Sequence, residues 1–303
     1  MNILSRADSS SQIGTGHIMR DLVLAKQFEN DTITFATRNL DGNINFRINE
    51  SNYFLEILES NDIDELDNLI KKLKIDMIII DNYDIDYTFE KQLSTLNPKL
   101  SIMVLDDTYE KHHCDILLNH NISANKKRYK NSVPKNCKLK CGAKYTLLRD
   151  EFYTEKKKKQ FSILNSQFSI FLAMGGADHS DINIKILKVL KKFDNIKVNL
   201  VTTSANKNLK KLEKYCKNKP WIKLHINSNK IAKLMSKSDL AIVTPSVTVN
   251  EVYYLGVPMI AIKTANNQID MYEYLKKKKY LVLEEFSSDK LNKSISKMLK
   301  LKR

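Results

Sequence analysis

The chain has 303 residues, of which 42% are hydrophobic, and a formal net charge of +15. This length is sufficient for two domains of ordinary size, each with its own core. No apolar run approaches the roughly 18 residues of a membrane span, and Arg6 and Asp8 interrupt the apolar start where a secretory signal would continue. We therefore expect no membrane partner.

The positive charge suggests nucleic-acid binding, but the kind of charge argues against that function. Only seven of the 50 basic residues are arginine, whereas base readout and bidentate phosphate contacts favour arginine. The lysines occur in short runs such as Lys156–Lys159 and Lys276–Lys279, without interleaved aromatic residues. We therefore expect no nucleic-acid partner.

The four cysteines are scattered along the chain, at Cys114, Cys137, Cys141 and Cys216. The close pair Cys137 and Cys141 lacks both a second pair and a nearby histidine, so no zinc site is predicted. Scattered cysteines in a long chain are typical of the reducing cytoplasm, which is the location that we expect.

The first predicted element is a buried strand over 2–7, followed by a loop of serine and glycine and then by a helix. Apolar residues recur at helical spacing from Ile18 onward. A strand, a glycine loop and a helix in this order form the phosphate- or sugar-facing corner of an α/β domain. The loop contains Gly14 and Gly16, and it places His17 in the first turn of the helix.

His17 is the first candidate for chemistry. The positive end of a helix disfavours an imidazolium, so His17 is expected to stay neutral near pH 7 and able to accept a proton. The pattern alone leaves a second interpretation open. In that interpretation the two glycines serve only the turn, and His17 is an ordinary polar residue at a helix start.

The rest of the first half alternates strands and helices. We predict strands over 32–37, 53–58, 76–81, 100–105 and 114–118, and helices over 62–74 and around 89–96. Acidic and amide residues follow three of the strands, and open α/β sheets place their ligands at such carboxyl ends. Helix capping explains many of these residues, but Tyr83 has no capping role and is therefore the more informative one.

Three polar segments are predicted to lie outside helices and strands. His112 and His113 are assigned to a surface loop, and 125–140 is assigned to a lysine-rich loop without periodicity. The run from Glu155 to Gln160 is interpreted as a charged linker, and the domain boundary is placed there.

The second half repeats the architecture of the first. A buried strand over 168–174 leads into Gly175-Gly176-Ala177-Asp178, and a helix over 182–193 follows. Adjacent glycines let backbone N–H groups approach an anion, and the helix start adds positive potential. Further strands are predicted over 198–202, 221–226, 239–243 and 259–262. Further helices are predicted over 209–216 and 231–235, within 244–258, after Gln268 and around 291–299.

Two similar α/β halves that face one another across a cleft suit a small molecule with a charged part. The P-loop motif is absent, and neither glycine corner fits the G-x-G-x-x-G fingerprint, since Met19 stands where the third glycine would be. A P-loop NTPase is therefore excluded, a nicotinamide enzyme is disfavoured, and no cofactor is expected.

Several blocks of the sequence, in order over nearly the whole chain, resemble one family. It is the family of UDP-2,4-diacetamido-2,4,6-trideoxy-β-L-altropyranose hydrolases of pseudaminic acid biosynthesis. The first blocks are RAD from Arg6, GTGH from Gly14 with Arg20 after two intervening residues, and DNYDIDYTFE from Asp81. They continue with VLDDTYEKHHCDILLNHN from Val104, CGAKYTLLRDEF from Cys141 and FLAMGGADHSD from Phe171. The last block is SDLAIVTPSVTVNEVYYLGVPMIAI from Ser238, followed by NNQ.

The resemblance implies an α/β protein of two Rossmann-like domains facing across a cleft, which is a GT-B-like fold. The first domain, 1–155, would carry the catalytic histidine and the sugar pocket, and the second, 161–303, would bind UDP. The implied reaction is a metal-independent hydrolysis that releases UDP and a free sugar with inversion at C1. The only implied partner is the UDP-sugar, with no cofactor and no obligate protein partner.

The same resemblance assigns roles to individual residues. His17 would be the base that activates water, and Tyr83 would line the sugar pocket. In the second domain, Gly175 and Gly176 would face the diphosphate, Glu251 would hold the ribose, and Asn267 would lie by the nucleotide. The remaining candidates for substrate binding come from the same blocks: Arg6, Asp8, Gly14, Gly16, Arg20, Asp178, Asn250 and Gln268.

Two other functions remain open at this point. A glycosyltransferase of the same fold would pass the sugar from UDP to an acceptor, and a non-catalytic protein would bind the nucleotide sugar without turnover. Consumption of the UDP-sugar in buffer without an acceptor separates the hydrolase from both.

Overall fold

The computed structural model describes residues 1–159, 167–176, 178 and 180–302. The chain divides into two units, Met1–Leu148 and Arg149–Arg303, each with its own parallel sheet. Within the described residues, no helix combines the length and the apolar character that crossing a membrane requires.

The first domain is built on a seven-stranded parallel sheet. Its strands are β1 Asn2–Ala7, β2 Thr32–Arg38, β3 Phe54–Leu58, β4 Met77–Asp81, β5 Ser101–Leu105, β6 Ile116–Asn119 and β7 Lys138–Cys141. The spatial order is β3-β2-β1-β4-β5-β6-β7, so the direction of winding reverses between β1 and β4. Ligands of open α/β sheets bind beyond the carboxyl ends of the strands at such a reversal.

Four helices belong to this domain: α1 Gly16–Ala25, α2 Phe46–Glu50, α3 Ile63–Leu73 and α4 Tyr87–Leu96. Apolar residues of both faces of the sheet are buried in two separate clusters, which is why the central strands read as continuous apolar runs. Ile3 and Ile79 pack in one cluster, whereas Leu4 and Ile78 pack in the other.

The second domain is built on a six-stranded parallel sheet with the order β10-β9-β8-β11-β12-β13. Its strands are β8 Phe168–Ala173, β9 Ile196–Thr202, β10 Ile222–Ile226, β11 Leu240–Val243, β12 Met259–Ile262 and β13 Leu281–Leu283. Its helices are α5 Asp150–Lys159, α6 Asn183–Leu190, α7 Leu209–Cys216, α8 Ile231–Ser236, α9 Val247–Leu255, α10 Ile269–Lys277 and α11 Ser288–Lys302. Here β8 and β11 flank the reversal.

The structure corrects the predicted loop over 125–140. Residues Lys126–Tyr129 form a 3₁₀ turn, and β7 begins at Lys138 and pairs with β6. β7 is an edge strand with one neighbour, so its lysines can reach solvent and it has no apolar run that would reveal it in the sequence.

The predicted charged linker is also corrected. Residues from Glu155 to Lys159 belong to α5, and Glu155 accepts a hydrogen bond from Ser236 Oγ of α8 at 3.1 Å. The division between the units therefore falls after Leu148 rather than at 155. The end of the predicted linker at 160 and the predicted start of the second domain at 161 lie outside the described residues.

His112 was predicted to lie on the surface and is buried instead. Its Nδ1 lies 2.7 Å from Oε1 of the fully buried Glu90, and its Nε2 lies 3.8 Å from Asp106. Burial alone would lower the pKa of His112, but the neighbouring carboxylates of Asp106 and Glu90 raise it to about 9. The histidine therefore forms a buried ion pair in the segment that follows β5.

Candidate active site

Two neighbouring strands bring His17 and Asp81 together. Asp81 is the last residue of β4 and is paired in register with Ala7, the last residue of β1. The loop after β1 leads into α1, whose second residue is His17. His17 Nδ1 lies 2.7 Å from Oδ1 of Asp81, which is 1% exposed.

Arg20 lies one turn further along α1 and binds the same carboxylate. Its Nε donates to Asp81 Oδ2 at 2.5 Å, and its Nη2 donates to Asp81 Oδ1. The third guanidinium nitrogen, Nη1, lies 3.5 Å from Oδ2 of Asp107, which follows β5. We call His17, Arg20, Asp81, Tyr83 and Asp107 the His17 cluster.

The guanidinium decides the protonation state of Asp81. Burial would raise the pKa of this carboxyl, but the charge and hydrogen bonds of Arg20 hold it well below its usual range. An ionised carboxylate only accepts hydrogen bonds, so Nδ1 of His17 must donate to it. Nε2 is then the ring nitrogen with a free lone pair.

The ring of Tyr83 packs against the ring of His17 in an edge-to-face arrangement. The rings of Tyr83 and His17 are perpendicular, with their centroids 4.9 Å apart. The Tyr83 hydroxyl donates to Asp107 Oδ1 at 2.8 Å, while the residue as a whole stays 59% exposed. Burial of the hydroxyl and the charge of Asp107 raise the pKa of Tyr83, so it remains a neutral donor.

Two buried groups beside the His17 cluster were not recognised as candidates in the sequence. Asp21 accepts a hydrogen bond from Ser5 Oγ at 2.6 Å, and burial together with the Asp81 charge raises its pKa well above the usual range. His120 follows β6, and burial and the charge of Arg20 lower its pKa to about 3. Burial therefore favours the uncharged form of both side chains.

Arg6 and Asp8 bind each other inside the first domain. The Arg6 guanidinium is 1% exposed and donates to both Asp8 oxygens, at 2.7 and 2.8 Å. Asp8 also accepts from Arg38 Nε at 2.9 Å and from Asn82 Nδ2 at 3.0 Å. Burial would raise the pKa of Asp8, but Arg6 and Arg38 lower it. This pair therefore holds the end of β1 in place.

Gly14 and Gly16 occupy different parts of the first glycine loop. Gly14 has a φ of +87°, a conformation that side chains rarely adopt, and it exchanges backbone hydrogen bonds with Ser10 at 2.8 and 3.3 Å. Gly16 is the first residue of α1, and a Cβ there would meet no atom within 4 Å. The first glycine is thus explained by the turn, and the second leaves open space beside the helix start.

The second glycine corner follows β8. Gly175 has a φ of +82°, and a Cβ on it would meet no atom within 4 Å. A Cβ on Gly176 would lie 2.8 Å from Thr203 Cγ2, and the Gly176 carbonyl accepts from Thr202 Oγ1 at 2.9 Å and Thr203 Oγ1 at 3.0 Å. The close approach of Thr203 therefore requires a glycine at position 176, whereas the space beside Gly175 is empty of protein atoms.

Asp178 points into its own domain. Its Oδ2 accepts a hydrogen bond from Asn183 Nδ2 at 2.6 Å, and its side chain is buried. Burial raises its pKa. The helix predicted from 182 begins at Asn183, and the carboxylate ties the glycine corner to that helix start. Ala177, the remaining member of the predicted corner, lies outside the described residues.

Glu251 lies in α9 and forms an ion pair that the sequence pattern did not indicate. Arg149 Nη2 donates to Glu251 Oε1 at 3.2 Å, and Arg149 Nη1 lies 3.0 Å from Glu151. Burial raises the pKa of Glu251 to about 7, although Arg149 opposes this shift. The neighbouring Asn250 is buried.

Asn267 and Gln268 lie in the 3₁₀ turn before α10. The side chain of Gln268 accepts from the backbone N–H of Thr264 at 2.8 Å, and this bond closes the loop after β12. Asn267 is exposed. The structure thus gives Gln268 a part in shaping the loop and presents Asn267 on it.

Within the described ranges, no group of three or more His, Cys, Asp and Glu side chains is arranged to hold a metal ion. In the first domain, His17, Arg20 and Tyr83 belong to the His17 cluster, and Arg6 and Asp8 pair with each other. In the second domain, the candidates lie on three segments: the glycine corner after β8, α9 and the 266–268 turn.

No protein-family profile matches the sequence. The UDP-2,4-diacetamido-2,4,6-trideoxy-β-L-altropyranose hydrolase of Campylobacter jejuni is 42% identical over 282 residues, which are 93% of this chain and 98% of that protein. Among solved structures, MurG of Acinetobacter baumannii matches with a TM-score of 0.68 at 13% identity, over 98% of this chain and 90% of MurG. Anabaena HepE in complex with UDP matches with a TM-score of 0.65 at 11% identity, over 100% of this chain and 91% of HepE.

The structural matches confirm the predicted fold, a GT-B-like pair of Rossmann-like α/β domains. The sequence match spans nearly the full length of both proteins at an identity that establishes common descent. The chain therefore belongs to the family of UDP-2,4-diacetamido-2,4,6-trideoxy-β-L-altropyranose hydrolases.

Proposed function

We propose that this protein hydrolyses UDP-2,4-diacetamido-2,4,6-trideoxy-β-L-altropyranose to UDP and the free sugar, in pseudaminic acid biosynthesis. Family membership supports this class of reaction and this substrate. The observation that carries the mechanism is the 2.7 Å contact between His17 Nδ1 and the buried Asp81. We place the reaction in the cytoplasm, the compartment in which free cysteines scattered along a long chain, such as those found here, are typical.

His17 acts as the general base in this proposal. Because Nδ1 donates to Asp81, Nε2 is available to take a proton from water. The water oxygen then forms a bond to C1 of the sugar, while the bond from C1 to the phosphate oxygen breaks and UDP leaves with the electron pair. A single displacement of this kind inverts the configuration at C1.

Charged groups of both signs contact His17. Arg20 Nη2 lies 3.1 Å from Nδ1, and Asp81 Oδ1 lies closer to the same nitrogen, at 2.7 Å. In this proposal the carboxylate, as the nearer group, holds the ring in the orientation that leaves Nε2 for the water.

The sugar would contact Tyr83, which presents an exposed ring beside His17. Tyr83 is held by its hydrogen bond to Asp107, which in turn lies against Arg20. An aromatic face that is fixed in this way can pack on a sugar ring without losing rotamer freedom at binding.

UDP would bind the second domain. Backbone N–H groups at Gly175 and Gly176 would meet the diphosphate, and Glu251 would accept hydrogen bonds from the ribose hydroxyls. Asn267 lies exposed on the loop before α10, where it could contact the nucleotide. Backbone donors stabilise the charge of a leaving diphosphate without a cation, and we therefore propose that no divalent metal is needed.

Three of the candidate residues act through the loops that they hold. The polar atoms of Arg6 and Asp8 are engaged with each other, and Asp178 is engaged with Asn183. We assign these three residues to positioning the two glycine corners, with substrate contact left to their neighbours.

The test uses the full chain, the UDP-sugar and no acceptor, with a chelator present, and follows UDP release. A hydrolase releases UDP to completion under these conditions. Release only after an acceptor is added identifies a glycosyltransferase, and binding without release identifies a binding protein. Turnover that is lost in chelator and restored by magnesium or manganese would contradict the proposed metal independence.

A further inference from the structure

Two cysteines outside the candidate site lie side by side. Cys114 precedes β6 and Cys137 precedes β7, which are neighbouring strands with Ile116 paired in register to Lys138. The Sγ atoms of Cys114 and Cys137 are 3.7 Å apart, and both cysteines are free thiols. A disulfide bond is about 2.05 Å long, so the sulfurs need to approach by less than about 2 Å.

The two thiols differ in their surroundings. Cys114 is 4% exposed and packs in the apolar cluster under the sheet, whereas Cys137 is half-buried at the edge of that cluster. The contact with the Cys114 thiol and a hydrogen bond from the backbone of Leu117 lower the pKa of Cys137, although burial opposes this shift. The hydrogen bond to Cys137 and burial raise the pKa of Cys114.

We propose that Cys114 and Cys137 form a reversible oxidation site for hydroperoxides, in which Cys137 is the attacking thiol and Cys114 is the resolving thiol. The geometry supplies what such a pair needs: a partly accessible sulfur at Cys137, and the buried sulfur of Cys114 in contact with it at 3.7 Å. This inference is independent of the proposed hydrolysis.

The proposed chemistry balances with a hydroperoxide as the oxidant. The Cys137 thiolate attacks the O–O bond, an S–O bond forms, and the leaving oxygen takes a proton to give water or an alcohol. Cys114 then attacks the Cys137 sulfur, so that the S–S bond forms and the S–O bond breaks. The second oxygen leaves as water with the proton of the Cys114 thiol, and a dithiol reductant restores both thiols.

The remaining two cysteines are internal controls. Burial raises the pKa of Cys141 in β7, and burial raises the pKa of Cys216 in α7 to about 11. Both should react more slowly with a hydroperoxide than Cys137 does, because the thiolate is the reactive form.

The experiment exposes the full wild-type chain to a few equivalents of hydrogen peroxide, alkylates the remaining thiols and maps the peptides by mass spectrometry. We expect a cross-linked peptide pair joining Cys114 to Cys137, with Cys141 and Cys216 alkylated. Dithiothreitol added before alkylation should return all four cysteines to the alkylated form. Absence of the cross-link in folded protein, or earlier oxidation of Cys141 or Cys216, would overturn the proposal.

Single cysteine variants test which of the two thiols attacks the hydroperoxide and which one resolves the product. In Cys114→Ser, Cys137 should accumulate as a sulfenic acid that a dimedone probe traps. In Cys137→Ser, Cys114 should remain alkylatable after the same treatment. Cys141→Ser is the matched control and should keep the cross-link. Oxidation of Cys114 at the wild-type rate in Cys137→Ser would overturn the assignment, and if either variant fails to fold, the wild-type map decides alone.

Discussion

At the scale of single residues, we expect the removal of the His17 imidazole to separate catalysis from UDP binding. Replacing it by Asn keeps a polar side chain at the start of α1 but removes the proton acceptor. A general base contributes about 10²–10⁴ in rate, which is about 3–5 kcal/mol of transition-state stabilisation, so kcat should fall by that factor. The affinity for UDP should stay within about twofold, since UDP is proposed to bind the second domain.

The control for this variant is His225→Asn, which alters a half-exposed histidine in β10 of the second domain. It should leave kcat unchanged. Near-normal turnover by His17→Asn, or a defect confined to UDP affinity, would return His17 to a structural role at the helix start.

We expect the loss of the Asp81 carboxylate to lower both kcat, because the carboxylate orients His17, and the free energy of unfolding. In Asp81→Asn, the carboxylate that fixes the Nδ1–H tautomer is lost, and kcat should fall by about 10²–10⁴. The partly buried Arg20 also loses its main partner, which should cost on the order of 2–4 kcal/mol of unfolding free energy. Kinetics and denaturant unfolding measure the two effects separately.

A surface carboxylate provides the matched control for that substitution. Asp194→Asn, on an exposed turn after α6, should change neither the rate nor the stability. If Asp81→Asn loses stability but keeps full kcat, the carboxylate serves only to pair Arg20, and the proposed base needs no orienting partner.

We predict that the affinity for uridine depends on pH through the ionisation of Glu251. Its pKa of about 7 means that it is neutral in mild acid and ionised in mild base. An ionised acceptor makes the stronger hydrogen bond to a ribose hydroxyl, so the affinity for uridine should rise about 5–10-fold as the pH increases through 7. Uridine is the better probe than UDP because it has no phosphate that titrates in this range.

Calorimetric titration of the wild type, Glu251→Gln and Glu213→Gln at several pH values measures this dependence. Glu213 lies exposed on α7 and serves as the control. The dependence should persist in Glu213→Gln and vanish in Glu251→Gln. A wild-type affinity for uridine that is flat from pH 5.5 to 8.5, an interval of about 1.5 units on either side of 7, would contradict ribose binding by Glu251.

At the scale of elements, the second glycine corner should fail sterically when Gly176 gains a side chain. Gly176→Ala places a Cβ 2.8 Å from Thr203 Cγ2 and should cost about 1–3 kcal/mol, because the segment after β8 must move away from β9. Thr203→Ser removes that methyl group and keeps a hydroxyl for the Gly176 carbonyl, so the double variant should recover part of the loss.

A double-mutant cycle tests this prediction: the free energy of unfolding in urea is measured for the wild type, the two single variants and the double variant. Additive losses, with no recovery in Gly176→Ala/Thr203→Ser, would show that the close approach to Thr203 is not what requires a glycine at 176.

The elements themselves were largely predictable from the sequence, and the exceptions have a common cause. Strands that are buried on both faces, such as β4 and β8, show as continuous apolar runs and were predicted to within a residue or two of their ends. β7 and α5 were missed because their exposed positions are filled with lysine. Lysine at an exposed position carries no signal that separates a strand or helix from a linker.

The sequence allowed us to name candidate residues, but it did not allow us to predict which of them contact each other. His17 and Tyr83 were identified and lie with their ring centroids 4.9 Å apart. The pairing of His17 with Asp81 depends on the register between β1 and β4, and the pairing of Arg149 with Glu251 joins positions 102 residues apart. Hydrophobic periodicity depends only on residues that are close in sequence. It therefore cannot predict contacts between separate strands and helices.

At the scale of the whole molecule, we expect the reaction to be divided between the two domains. The first domain would supply the base and the sugar contacts from His17 and Tyr83, which lie at the carboxyl edge of its sheet. The second domain would supply the anion and ribose contacts from Gly175 and Glu251. We therefore expect hydrolysis to require both domains and nucleotide binding to depend on residues of the second.

The most direct test of the central claim, that water activated by His17 attacks C1, is the fate of the oxygen atom. The full chain is incubated with the UDP-sugar in ¹⁸O-labelled water, and the products are read by mass spectrometry while NMR follows the first anomer formed. We predict that the label enters the sugar alone, that the first anomer has inverted configuration at C1, and that His17→Asn lowers the rate of this labelling by about 10²–10⁴. Label in the UDP phosphate, or a first product with retained configuration, would contradict the account.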